Sequence, residues 1–408
     1  MKYNLEDLLH TIIDKYLFQI GMFVVFASSL IIRFHLSPIT MLSADYQDCL
    51  LPWVEYYREN GILKGLSETM GSYYVPYNLF LAVVAFLPGE PWLYIAGFSI
   101  ICDYICAYSV YLISKKIAQE THTAHSKAVI AAMACLLLPA SLLNGALWKQ
   151  CDSVYSCFVM LSIYYALTKN FNRSLLMLGI GFIFKLQAIY LFPLFVILYI
   201  LKEKNLRMIH FFWIPAMYLI GGLPAVFSGR RALDVYDVYY HQANYEGFDA
   251  MTIKMPNLYS FSLSDYPALK MPAILITLCL FVFMAFAVQK YGRKLSDTNL
   301  VYLAIWCLWT CILFLPAQHE RYNFPVLLLL TAFYIVTDLK KCWPAIVINV
   351  ISCFQYGSYL FKASSPNEAL LAAFHMAAFL YVTYDLLKSL KEPVTPEPPG
   401  ALSRHTDR

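Results

Sequence analysis

Mostly apolar stretches of about 17 to 25 residues follow one another along nearly the whole chain, the length a helix needs to cross the hydrocarbon core of a bilayer. In lipid every backbone N–H and C=O must be satisfied inside a helix or a closed barrel, and these Leu, Ile, Phe and Tyr runs lack the period-two alternation of barrel strands. The pattern predicts an all-α fold: a polytopic integral membrane protein of about twelve transmembrane helices, within a range of about eleven to thirteen. Composition agrees, because 60% of the residues are hydrophobic, 14% are charged and the mean hydropathy is +0.57. That is more apolar surface than a soluble domain can cover. The net charge of +4 is too small and scattered for a nucleic-acid footprint.

The first span, about Tyr16 to Arg33, follows a mixed-charge leader and has no small-residue cleavage site, so it reads as a retained anchor helix. Lys and Arg cluster at Lys115/Lys116, Lys169 to Arg173, Lys202 to Arg207, Lys290 to Lys294, Lys340/Lys341 and Lys388/Lys391. Reading these as cytoplasmic gives one alternating topology with both termini inside. A single membrane domain then covers residues 1–391. It carries a first extracytoplasmic loop at 35–90 with interfacial helices, and a second large one at 228–271. The Pro-rich polar tail, 392–408, is expected to be disordered in the cytoplasm.

Two segments resist simple spanning. Residues 78–87 are apolar but too short to cross, which suits a helix in the outer interface. The pair 174–186 and 188–201 sits between two basic loops and is expected to turn back near Lys185 to Ala188, bringing the polar "KLQ" to a protein-lined cavity. The eleven cysteines lie mostly in apolar runs, where they behave as small hydrophobes; Cys49 and Cys151 share the outer side, but nothing in sequence fixes their distance.

Polar residues gather on the outer side in four groups: "SADYQD" with Asp45 and Asp48, "LWKQCDSVY" with Trp148, Gln150 and Asp152, "FKLQAI" with Lys185 and Gln187, and "QHERY" with His319, Glu320 and Arg321. Ionisable groups near membrane depth are costly, which makes each a functional candidate. Each also has a plain structural reading. Asp45, Asp48 and Asp152 are placed to cap the helices that follow them, and Glu320 with Arg321 forms a self-neutralising pair. Lys185 is the hardest to explain so, being far from either basic loop. Asp103, inside a span, invites pairing with a lysine or tyrosine elsewhere in the bundle.

A carboxylate at the outer lip of the first helix, cations beside a cavity and a broad aromatic interface suit sugar transfer from a polyprenyl-phosphate donor. The acceptor hydroxyl needs a base, the leaving phosphate needs fixed positive charge, and the lipid tail needs an apolar groove.

At these residues the chain resembles the GT-C superfamily of integral-membrane glycosyltransferases, and among them the bacterial relatives of the GPI-anchor second mannosyltransferase. The resemblance covers nearly the whole chain and rests on six motifs in order: "S-x-D" followed by "PW" (Ser43, Asp45, Pro52, Trp53), "YVPY" from Tyr74, "W-x-Q-x-D-S-x-Y" from Trp148, "FKLQAI", "PNLYS" from Pro256, and "HERY". Lys149 stands where such proteins usually carry glycine. The resemblance implies a hexose donor linked to polyprenyl phosphate and makes Asp45 the catalytic carboxylate. Lys185, Arg321 and His319 are then expected at the donor phosphate. Asp48, Tyr74, Trp148, Gln150, Asp152, Gln187 and Glu320 are expected at the substrates. The expected acceptor is a lipid-linked glycan, a polysaccharide or a protein outside a bacterial cytoplasmic membrane, with inversion at the anomeric carbon. No cofactor is expected; a divalent metal on Asp45, Asp48 and Asp152 is the less favoured alternative. The rival readings are a transporter or flippase of lipid-linked sugars, for which the paired broken spans of two related halves are missing, and a membrane scaffold.

Overall fold

A computed structural model describes residues 5–71, 73–244, 250–291 and 295–391; the expected disordered tail, 392–408, lies outside the described residues. The chain is overwhelmingly helical. In order the helices are α1 Leu5–Leu36, α2 Leu51–Asn60, α3 Ile62–Ser67, α4 Val75–Val84, α5 Pro91–Glu120 and α6 Ser126–Leu137. There follow α7 Pro139–Asn144, α8 Asp152–Leu167, α9 Phe171–Phe184, α10 Phe192–Ile200, α11 Trp213–Phe227 and α12 Ala232–Tyr236. The last six are α13 Val238–Asn244, α14 Tyr266–Tyr291, α15 Asp297–Phe314, α16 Phe324–Val336, α17 Trp343–Phe361 and α18 Glu368–Ser389.

Among the described residues 7 helical stretches are long and apolar enough to cross a membrane, and several shorter apolar helices pack among them. α15 runs through the centre, with Leu300 to Phe314 all buried, whereas α1 lies at the edge. The periphery shows large apolar side chains to the surroundings, such as Phe23, Phe34, Val282 and Phe286, each more than 60% exposed. Water would penalise such a surface; hydrocarbon does not.

Side-chain bonds distinguish the two ends of the bundle. At one end Glu120 accepts from the backbone of Asp297 and Thr298, Lys169 meets Glu203 at 3.2 Å, Lys341 meets Asp385 at 2.7 Å, and Ser389 bonds Asn299. The expected basic stretches at Lys169 to Arg173, Lys202 to Arg207, Lys340/Lys341 and Lys388/Lys391 share this end. At the other, Ser43 donates to the Trp148 carbonyl, Tyr73 to Gln150, and Arg230 to the Glu68 carbonyl. Here two short strands, β1 Thr252–Ile253 and β2 Gln318–His319, pair in parallel and tie the long loop before α14 to the "HERY" turn.

Three sequence expectations meet local chemistry here. The expected span at 126–143 is broken at Pro139, which lacks an N–H; Arg33 from α1 donates to the carbonyls of Leu136 and Ser141 on either side of the break. Asp103 finds its partner in that same Arg33, at 3.1 Å with both side chains fully buried, rather than in a lysine or tyrosine. The 174–201 segment does break at Lys185, which is extended (φ −156°), before a 3₁₀ turn over Leu186–Leu191. Because Lys169 and Glu203 meet at the basic end, α9 and α10 run out and back. Cys49 and Cys151 are both free thiols.

Candidate functional site

The site is built where four loop segments converge at the end opposite the basic loops. Ser43 is fully buried, its hydroxyl receiving the Tyr46 N–H at 3.1 Å and donating to the Trp148 carbonyl at 2.6 Å. That double contact sets Asp45 against the α7–α8 turn. Asp45 stands at the head of a π-helical turn, Tyr46–Leu50, a rare local geometry that recurs at functional sites; its carboxylate makes no capping bond to that turn. Trp148 Nε1 donates to Asp45 Oδ2 at 2.6 Å, Gln150 Nε2 donates to the same oxygen, and the Tyr359 hydroxyl donates to Oδ1 at 3.1 Å. The carboxylate is thus fixed by three donors while remaining half-exposed.

Asp152 opens α8 and is fully buried. Lys185 Nζ contacts its Oδ1 directly, Arg321 Nε lies 3.5 Å from Oδ2, and Asn144 Nδ2 donates to Oδ2 at 2.8 Å. Lys185 also faces the Tyr322 ring at 4.9 Å, and Arg321 lies over the Trp148 ring at 5.1 Å. Arg321 Nη1 donates to Glu320 at 3.2 Å, and His319 Nδ1 stands 3.7 Å from the same carboxylate. Lys185, Gln187, His319, Arg321 and the Tyr74 ring line one cavity of about 80 Å³. Trp148 joins the cavity to Asp45: its indole N–H holds the carboxylate, while its ring carries Arg321 and stacks on Tyr359 at 4.3 Å.

Electrostatics follow from burial and neighbours. Burial opposes charge on Arg321, but Asp152 and Glu320 outweigh it and hold the guanidinium well above the ordinary arginine range. Burial likewise opposes charge on Glu320, yet the His319 imidazole and the Arg321 charge bring its carboxyl below the usual value. Burial pushes the His319 imidazole down from its ordinary value, against the pull of Glu320. Counting the inner group, Lys185 and Arg321 balance Asp152 and Glu320.

Of the residues expected at the site, the fold gathers Asp45, Trp148, Gln150, Asp152, Lys185, Gln187, His319, Glu320, Arg321 and the Tyr74 ring. Several differ from a simple substrate contact. Trp148, Asp152, Gln150 and Glu320 are 0 to 2% exposed, and the polar atoms of Gln150 and Asp152 are engaged by protein partners. The Tyr74 hydroxyl bonds the Tyr218 carbonyl. Asp48 is exposed on the far side of the π-turn. Asp45, Asp48 and Asp152 do not converge, and among the described residues no three His, Cys, Asp or Glu side chains form a group suited to a metal ion. Sequence reasoning missed Tyr359 and Asn144. Tyr359 lies in an aromatic-rich last turn of α17, where nothing marks one tyrosine from the next.

Compared with known proteins, the chain matches no family model and no curated sequence.

Proposed function

We propose that this protein is a GT-C type hexosyltransferase that moves a sugar from a polyprenyl-phosphate donor to a hydroxyl acceptor, with inversion, on the outer side of a bacterial cytoplasmic membrane that the chain crosses about twelve times. Its basic loops face the cytoplasm, as do both termini. The observation carrying this reading is that a half-exposed carboxylate, Asp45, and a cavity lined by two cations, Lys185 and Arg321, are joined through a single buried side chain, Trp148.

In the proposed step the acceptor O–H bond breaks and its proton passes to Asp45. The acceptor oxygen bonds the anomeric carbon, and the bond from that carbon to the phosphate oxygen breaks with its electron pair on phosphate. Lys185 and Arg321 stabilise the charge that develops there. Asp152 is a positioning residue, holding both cations with their remaining donors toward the cavity. Glu320 and His319 orient Arg321, and Gln150 orients Asp45.

The test uses purified protein, a short-chain polyprenyl-phosphate sugar and total membrane lipid as acceptor. Asp45→Asn keeps the shape and removes the proton acceptor, so turnover should fall by about a hundred- to ten-thousand-fold with the thermal melt unchanged. Asp48→Asn should be nearly silent, being exposed and outside the network. Equal sensitivity at the two positions would show that Asp45 is not the base.

A further inference from the structure

The two Asp45 oxygens are not alike. Oδ2 receives two donors from the fixed, buried α7–α8 turn, while Oδ1 receives only the hydroxyl of Tyr359, a half-exposed side chain in the last turn of α17. Outside Tyr359 stand two exposed lysines: Lys254, in the loop after β1, has its ammonium 5.9 Å from the Tyr359 ring centre, and Lys362, which caps α17, has its own at 5.6 Å. Lys254 is fixed to the "HERY" turn by a backbone bridge to His319. Among the described residues neither lysine forms an ion pair, whereas Lys185 is bound to Asp152.

We propose that Tyr359 marks the acceptor subsite: its hydroxyl holds the place of the acceptor hydroxyl on Asp45 Oδ1, and Lys254 and Lys362 receive a phosphate or carboxylate carried by the acceptor. This rests on the transferase reading above. An arriving hydroxyl displaces Tyr359, donates to Oδ1 in its stead and loses its proton to that oxygen as the new bond to the anomeric carbon forms. In this reading the donor phosphate takes the free capacity of Lys185 and Arg321, so a negative acceptor finds its counter-charge at this outer pair. The sequence reading assigned neither lysine nor Tyr359 any role.

The experiment places the protein in phosphatidylcholine nanodiscs and compares three probes on one scaffold: octyl glucoside, octyl glucuronide and octyl glucoside 6-phosphate. Binding is titrated calorimetrically without donor, then initial rates are measured with a short-chain polyprenyl-phosphate sugar. The charged probes should bind about ten-fold tighter than the neutral one, as one charge-assisted contact allows. The advantage should vanish in Lys254→Gln/Lys362→Gln, whose two positions are exposed. Carboxylate preferred over phosphate points to an acidic glycan, and the reverse to a phosphate-bearing lipid headgroup. Equal binding of all three probes, or a preference that survives the double substitution, overturns the anion seat. Tyr359→Phe should lower the acceptor KM by about ten-fold with kcat little changed. A raised or unchanged KM, or a kcat that falls with it, overturns the place-holder role. Absence of any transfer would instead defeat the transferase reading, with the binding comparison still deciding the seat.

Discussion

Among the described residues two charge clusters are buried, and they are built to opposite rules. Arg33 in α1 spends all its donors inside the fold: Nε on Asp103, Nη1 on the carbonyls of Ser29 and Leu136, and Nη2 on the Ser141 carbonyl and hydroxyl. It closes a break that Pro139 opens and adds to the α1–α5 packing. Arg321 leaves capacity unused. It bonds Glu320, its Nε stays 3.5 Å from Asp152 without a hydrogen bond, and it faces a cavity. A buried charge whose donors are saturated holds structure, whereas one held short of saturation beside a cavity is prepared for something absent.

The sharpest way to break this comparison is at the Arg33 cluster, where the guanidinium donors are saturated. Removing one partner of a buried pair leaves an uncompensated charge, at a cost of about 3 to 5 kcal/mol. Arg33→Gln and Asp103→Asn should therefore each lower the thermal melt strongly, while activity per folded molecule stays close to wild type. Arg33→Met with Asp103→Leu should recover part of the loss, because no charge is stranded although the carbonyls at Pro139 stay unpaired. Single variants that melt like wild type but lose activity would move the Arg33 cluster into the functional class.

At the unsaturated cluster the balance should invert. Lys185→Gln and Arg321→Gln should weaken binding of a short-chain polyprenyl-phosphate sugar by about ten- to a hundred-fold, the worth of one charge-assisted contact. Their melts should move less than those of the Arg33 variants, since Asn144 and the remaining cation still serve Asp152. Arg321→Lys should recover only part of the affinity, because a point charge does not reproduce the planar fork. Unchanged affinity in well-folded variants of both would remove the two residues from the donor site.

The sequence made the frame legible because the bilayer enforces it: long apolar runs and basic loops locate the helices and sort them into two ends. The polar motifs of the site were legible for the same reason, since Lys185 or "HERY" in such a chain has no cheap explanation. What stayed hidden were contacts made by ordinary residues across long separations. Tyr359 reaches Asp45 over 314 positions, and Asn144 meets Tyr356 over 212. Asp103 was recognised as needing a partner, yet Arg33 looked like the end of a span. Its partner became visible only once α1 and α5 were set side by side.

The smallest expected effect concerns Lys149, between Trp148 and Gln150 in the turn that holds Asp45. Its backbone is left-handed (φ 65°), which explains why glycine suits this place, and its side chain is fully buried with Nζ donating to the carbonyls of Ala146 and Leu147. Lacking a carboxylate partner there, burial pulls its amine down to about 7 from an ordinary 10.5. The sign follows: between about pH 7 and 10.5 the unfolded chain binds the proton that the folded protein has released, so the stability contribution of Lys149 rises with pH across that window. Lys149→Gly removes the left-handed strain and the buried amine but loses two hydrogen bonds and adds unfolded-chain entropy, so the variant is favoured near neutral pH and its advantage shrinks as the pH rises. Thermal melts at pH 7 and pH 9.5 check this. Wild type should gain more than the variant on raising the pH, and the variant should melt slightly higher at pH 7. Parallel pH dependence in the two proteins would mean that the Lys149 amine keeps its ordinary proton affinity in the fold, and that the turn beneath Asp45 carries a buried positive charge after all.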